Sequence, residues 1–270
     1  MIQEIRITSV EEAMAMATDH QYDSKIDRWR SSYFYRGMPD ATYDLVTSLT
    51  RNCDIAAKDV ENAILRNFTK YASIEDPSLA NSIWKQMIVG QHHGLPTRLL
   101  DWTHSSLIAL NFAMSENDLS MLSQRDCVIW RIDARALNES LPEKYKAQLN
   151  KDKTFIFSVD SLSSIVSTTQ EYDADMGANS FVSLEPPSVD QRIINQYSFF
   201  TVMPSGITNI TEFLNEHPST TIKYVIDKEI RWKLRDILDQ FNINERMIYP
   251  GLDGLSKWIA RHYYYKRNKP

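Results

Sequence analysis

Along this chain, segments whose apolar side chains repeat every three or four residues alternate with short runs of β-branched and aromatic residues, from one end to the other. That interleaving leaves few architectures open. Residues 9–18 follow a Ser suited to capping and carry good helix formers, which predicts a short helix. In residues 58–71, Val60, Ala63, Ile64, Phe68 and Tyr71 fall on one helical face. Residues 81–89 repeat the pattern, with Gly90 placed to end the helix in a left-handed cap. Leu107, Leu110, Asn111 and Met114 mark another helix over 105–114, and further helices are predicted over 229–241 and 252–265. The strand candidates are Tyr33 to Gly37 running into a turn at Pro39-Asp40, then 97–102, 127–132, 193–203, 220–226 and 246–249.

Between 137 and 187 the periodicity weakens, 161–169 is rich in Ser and Thr, and Pro186-Pro187 closes the stretch, so a variable connecting region is expected there. No repeat, linker or low-complexity boundary divides the chain. The expectation is a single α+β domain over 1–270, with a mixed, mostly antiparallel central sheet flanked by helices.

At 270 residues and 43% hydrophobic content the chain can bury a sizeable core. Its net charge of -5, with both signs scattered, argues against coating nucleic acid by bulk electrostatics, though a local basic groove remains open. Lys266, Arg267 and Lys269 suit the C-terminal end of a helix dipole and need no nucleic acid. Cys53 and Cys127 lie far apart with no metal-ligand neighbourhood, which fits a reducing compartment. No apolar run approaches the roughly 18 residues that span a bilayer, and the opening Met-Ile-Gln-Glu-Ile-Arg is no secretory signal. A cytoplasmic protein without membrane contact is expected.

Two segments are chemically dense. In Phe34-Tyr35-Arg36-Gly37 a guanidinium sits in an otherwise aromatic strand, where a buried unpaired charge is costly. Arg36 is either half of a structural ion pair or an anion-binding group; Gly37 favours the second, because it lets a ligand approach the backbone. The other segment, from Gln91 through His92-His93-Gly94-Leu95-Pro96-Thr97-Arg98 to Leu99-Leu100-Asp101-Trp102-Thr103, crowds many catalytic side-chain types between two apolar helices. On a strand, Thr97, Leu99, Asp101 and Thr103 share one face and Arg98, Leu100 and Trp102 the other. Adjacent histidines on a loop do not converge on one ion and no further ligands stand at a usual spacing, so no metal is expected. His92 and His93 either bond the turn or take part in catalysis. Gly-rich phosphate loops, nucleophile elbows and paired-carboxylate patterns are absent from the sequence.

These two segments, with Ala109, Phe112 and Ala113 after them, resemble the FRG domain, named for its Phe/Tyr-Arg-Gly motif. The resemblance extends to Arg192, Gln196 and Phe200 and to the stretch from Tyr249 to Leu255, with Ser198 where the family usually has Gly and Gly251 where it has Asp. A weaker likeness joins the chain to ADP-ribosyltransferases: an aromatic-Arg pair at Tyr35-Arg36, a hydroxyl-bearing strand running into Ala109-Leu110-Asn111-Phe112-Ala113, and Gln196-Tyr197-Ser198 opening a later strand. Ser198 stands where those enzymes carry their catalytic Glu.

That likeness implies an ADP-ribosyltransferase-like fold and transfer of ADP-ribose from NAD, a substrate, to a macromolecular acceptor, protein or nucleic acid. It further implies a bacterial toxin or anti-phage effector with a neutralising antitoxin protein. Arg36 would clamp the phosphates, Tyr35 and Trp102 would flank a ring, and Gly37, Thr97 and Arg98 would complete the dinucleotide site. Asp101 would stabilise the positive ribose, Gln196 would position a hydroxyl, and His92 would take the acceptor's proton. Two alternatives stand beside it: a non-catalytic nucleotide-sensing or interaction module using the same pocket, and a buried ion-pair network of Arg36, Arg98 and Asp101.

Overall fold

The computed structural model describes residues 1–188 and 190–265. The basic residues Lys266, Arg267 and Lys269 lie outside the described residues.

Among the described residues nine strands occur in chain order: β1 (Gln3–Ile7), β2 (Tyr22–Asp23), β3 (Arg28–Trp29), β4 (Tyr33–Met38), β5 (Leu99–Thr103), β6 (Cys127–Asp133), β7 (Val182–Leu184), β8 (Ser198–Val202) and β9 (Thr221–Ile226). β2 and β3 form a small antiparallel ribbon, and the other seven make one sheet ordered β1-β9-β6-β4-β5-β8-β7. Only β1 and β9 run parallel; every other neighbouring pair is antiparallel. This is the α+β architecture with a mixed, mostly antiparallel sheet flanked by helices. Among the described residues no helix is long and apolar enough to cross a membrane.

Strand alternation sorts the core. Phe34 and Met38 of β4, Leu100 and Trp102 of β5, and Val128, Trp130 and Ile132 of β6 pack on one side with Leu45, Phe213 and Leu214. On the other side the cover comes in two blocks. Tyr35, Cys127, Ile129 and Tyr224 meet the helices Val10–Ala17, Ser106–Ala113 and Arg231–Gln240. Leu99, Phe200, Val202 and Leu184 meet the helices Ala57–Ala72, Ile83–His92, Glu143–Asp152 and Thr169–Met176.

Local chemistry sets the helix boundaries. Ser9 and Glu12 form a reciprocal capping box, and Ser82 and Ser105 cap the two helices around the dense segment. Gly90 does not end its helix, which continues to His92; Gly94, at φ 87°, takes the left-handed position, while Leu95 folds back to donate to the Gly90 carbonyl at 2.8 Å.

Three sequence expectations are corrected. The 137–187 region, expected as a variable connecting region, has regular structure: it supplies the helices Glu143–Asp152, Val159–Ser163 and Thr169–Met176 and strand β7, and it buries Tyr145, Phe157, Leu162 and Tyr172 completely. Its Ser and Thr residues include helix caps, Ser158 accepting from Ser161 N and Thr168 from Glu171 N. Residues 193–203 are not strand throughout, because Asp190 caps a short helix, Gln191–Asn195, ahead of β8. Residues 246–249 belong to a helical turn, Glu245–Ile248, capped by Asn244.

Candidate functional site

β4 and β5 are joined at a single residue pair, Tyr35 with Thr103. In an antiparallel register Gly37 would next face Asp101, but there the strands have separated, while β5 continues to pair with β8 on its other edge. Arg36 extends into the gap, and its Nη1 donates to the Asp101 main-chain oxygen at 2.7 Å, satisfying a carbonyl left without a ladder partner. Gly37 is required here by packing: a Cβ would lie 1.8 Å from the Ala109 oxygen, so the Ser106–Ala113 helix seats directly on β4.

The opening lies between the two helical blocks and forms a cleft of about 480 Å³, in the size range of small-molecule sites. Its wall carries the guanidiniums of Arg36, Arg51 and Arg192 and, among the described residues, one carboxylate, Asp101. Arg36 is about one-fifth exposed, and its Nη1 stands 3.6 Å from Asp101 Oδ2. Burial pushes the Arg36 pKa down, Asp101 only partly opposes this, and the neighbouring charge of Arg51 adds to it. The Arg36 Nε is buried with no hydrogen-bond partner. Among the described residues the Arg51 side chain has no ion-pair or hydrogen-bond partner, and Arg192 lies over the Tyr249 ring at 5.3 Å without a carboxylate. An arginine does not discharge itself by losing its proton, so this cluster has an unmet demand for an anion.

Asp101 is held from behind. Gln91 donates from Nε2 to Asp101 Oδ2 at 3.0 Å and to the Leu99 oxygen at 3.3 Å. The Gln91 amide is oriented in turn by Thr97 Oγ1 and Ser48 Oγ, which donate to its Oε1 at 2.5 and 3.2 Å. The Asp101 side chain itself remains 56% exposed and faces the cleft.

The structure therefore brings Arg36, Gly37, Asp101 and Gln196 to one cleft. The remaining candidates take other positions. Thr97 is buried and acts through Gln91. Tyr35 and Trp102 border the cleft from core positions: Tyr35 is fully buried, and the Trp102 indole donates to Thr201 Oγ1 at 2.9 Å, so neither ring is free to flank a ligand. His92 lies outside the cleft wall, its Nε2 against Asp190 Oδ2, and burial holds its pKa below the usual value against the pull of Asp190.

Arg98 is the plainest correction. Alternation turns it away from Asp101, and it is bound on both sides, Nε donating to Glu61 Oε1 at 2.7 Å and Nη1 to Asp173 Oδ1 at 2.5 Å. Burial works against its charge, but the Glu61 hydrogen bonds and charge hold its pKa above the ordinary value. The buried ion network thus joins Arg98, Glu61 and Asp173, and not Arg36 or Asp101. Sequence reasoning missed Arg51 and passed over a cleft role for Arg192, since neither stands in a dense motif and both reach the site only through the fold.

These features define an α+β protein with a cation-lined cleft where its sheet divides. Residues 31–121, which include β4, β5 and the whole dense segment, match the family model of the FRG domain. No curated protein and no solved structure was found to match it.

Proposed function

We propose that the cleft binds NAD and that the chain transfers ADP-ribose from it to a macromolecular acceptor. The observation that carries this reading is the imbalance of three guanidiniums, largely without carboxylate partners, against a single well-held carboxylate. A pyrophosphate supplies the missing negative charge, and planar guanidiniums grip phosphate oxygens in pairs. Asp101 then plays a distinct part, because the ribose carbon becomes positive as the nicotinamide leaves with its bonding electrons, and a fixed carboxylate lowers that barrier. Gln91 and Thr97 keep Asp101 in place for it. An acceptor nucleophile attacks the same carbon and gives up its proton to a base outside the cleft wall or to water. Overexpression of such a transferase would be toxic, in keeping with a toxin or anti-phage role and a neutralising partner.

A second reading, a nucleotide sensor without turnover, is favoured by one observation. Ser198 lines the cleft where the transferase pattern carries a Glu, which leaves Asp101 as the one carboxylate on its wall among the described residues. The deciding experiment titrates NAD into the purified chain by calorimetry and follows labelled ADP-ribose into cell extract, for the natural protein and Arg36→Ala. Binding and transfer that both depend on Arg36 support the transferase; binding without transfer supports the sensor; no binding removes both.

A further inference from the structure

A second hollow, of about 600 Å³, adjoins the cleft. The chain passes directly from one to the other: Thr103 lines the cleft and His104 the hollow, while Gln196 and Ser198 line the cleft and Tyr197 between them lines the hollow. The junction is fixed by Thr103 Oγ1 donating to the Gln196 oxygen at 2.8 Å and His104 N donating to the Tyr197 oxygen at 3.2 Å. Tyr197 has φ 46°, a conformation rare for a bulky residue, and it leaves the ring 62% exposed. Strain held at such a point is an indication of use.

The rim is aromatic. Trp29 and Phe241 join Tyr197 and are 63% and 56% exposed; Tyr22 meets the Trp29 ring at 5.2 Å and still leaves the indole largely open. The lining also holds Leu107, Arg30 and two imidazoles, His20 and His104, each with an unpartnered Nδ1. Burial and the neighbouring His20 hold the His104 pKa down. Arg30 on the lining and Arg28 next to it in the chain's ribbon have no carboxylate partner among the described residues. The nearby carboxylates are engaged: Asp19 with Arg131 at 2.6 Å, Asp23 with the Lys25 amide at 2.9 Å, and Asp27 with the Tyr22 hydroxyl.

We infer that this hollow binds a base of single-stranded nucleic acid, stacked on Trp29 and Tyr197 with Arg28 and Arg30 on flanking phosphates, and that it presents the acceptor to the adjoining cleft. Exposed rings beside unpaired guanidiniums are the chemistry that holds unstacked bases without reading their sequence. A flat base suits the aromatic rings of the rim, and the flanking phosphates lie with Arg28 and Arg30. Two phosphate contacts are compatible with an acidic chain, because the stacking carries the affinity. The acceptor role rests on the transferase reading; the binding itself does not.

The test is fluorescence anisotropy with labelled octathymidine DNA and octauridine RNA, in the absence of NAD. The natural protein should bind at least one, and Trp29→Ala and Tyr197→Gly should each weaken binding roughly 5- to 150-fold, the range for losing one base–aromatic stack. Tyr197→Gly also relieves the left-handed backbone, so it should fold at least as well. The salt dependence should be shallow, with a log–log slope of about -1.4 for two phosphates. Failure of the natural protein to bind either oligonucleotide, or undiminished binding in both variants, overturns the proposal. So does a tyrosine-bearing peptide that binds with the same variant dependence while the oligonucleotides do not, which would assign the hollow to a protein acceptor. NAD calorimetry on Arg36→Ala reports on the cleft alone, so failure there leaves the oligonucleotide result standing, and the reverse.

Discussion

The Arg36 guanidinium donates to the main-chain oxygen of Asp101 at 2.7 Å and stops 3.6 Å short of the same residue's carboxylate. One donor is used to bridge the separated strands, and the buried Nε is left over. Arg36→Ala should therefore weaken NAD binding by about 100-fold or more, while Arg51→Ala and Arg192→Ala each weaken it roughly 10-fold, the scale of a lost charge-assisted hydrogen bond. Arg36→Lys should not restore affinity, since an ammonium lacks the planar fork. Calorimetry on the four variants measures this directly.

Asp101→Asn separates the two functional readings. It keeps the size of the side chain and removes the charge. In a transferase the rate of label transfer should fall about 100-fold or more while NAD affinity holds or rises, because a negative neighbour of the phosphates is gone. A parallel loss of affinity would instead make Asp101 a binding group.

Arg98 predicts a stability effect and no specific loss of function. Glu61 is only 3% exposed, so Arg98→Ala leaves a buried carboxylate without its partner and should cost about 3–5 kcal/mol in chemical denaturation. Arg98→Met combined with Glu61→Leu should recover most of that, because Asp173 keeps its hydrogen bond from Ser205 N at 2.9 Å and some solvent. If the double variant is no better than the single one, the ion network is not the cause.

Much of this arrangement could be read from residue order. Phe34 to Gly37 and Gln91 to Thr103 each carry their strand or helix signals and their polar groups together, so Arg36 and Asp101 were foreseeable neighbours. The alternation of β5 was equally legible, with Leu100 and Trp102 on one side and Leu99 on the other. What escaped depends on distant partners. Arg98 finds Glu61 and Asp173 from positions 37 and 75 residues away, and no local pattern announces either. The short helices between 137 and 187 gave too few turns for a period to emerge, and their Ser and Thr caps look like loop composition until the helices are seen.

Gly37→Ala should be severe for a steric reason. Its Cβ would meet the Ala109 oxygen at 1.8 Å and the Ala113 nitrogen at 2.7 Å, both main-chain atoms that move only with the whole helix. A loss of about 3 kcal/mol or more is expected, seen as a lower denaturation midpoint, together with weaker NAD binding as the cleft wall shifts.

Stability should fall on mild acidification. His104 lies among Phe34 and Phe199, with ring centroids at 6.0 and 5.9 Å, and burial holds its pKa below 6.5 in the folded chain. Between that lowered value and 6.5 the unfolded chain binds more protons, so stability is complete above the window and is lost as pH drops through it. His92 acts in the same direction. Melting temperatures taken between about pH 7 and pH 5 should decline, and His104→Leu should decline less. An unchanged slope in that variant would show that His104 is not one of the groups responsible.

β1 has one neighbour, β9, and the pairing of Gln3 with Ile222 closes a loop that spans most of the molecule. Cutting away the first eight residues would do more than shorten an end. It would strip a row of amides and carbonyls on β9 of their partners and turn a covered border into a template on which a second chain could add its own strand.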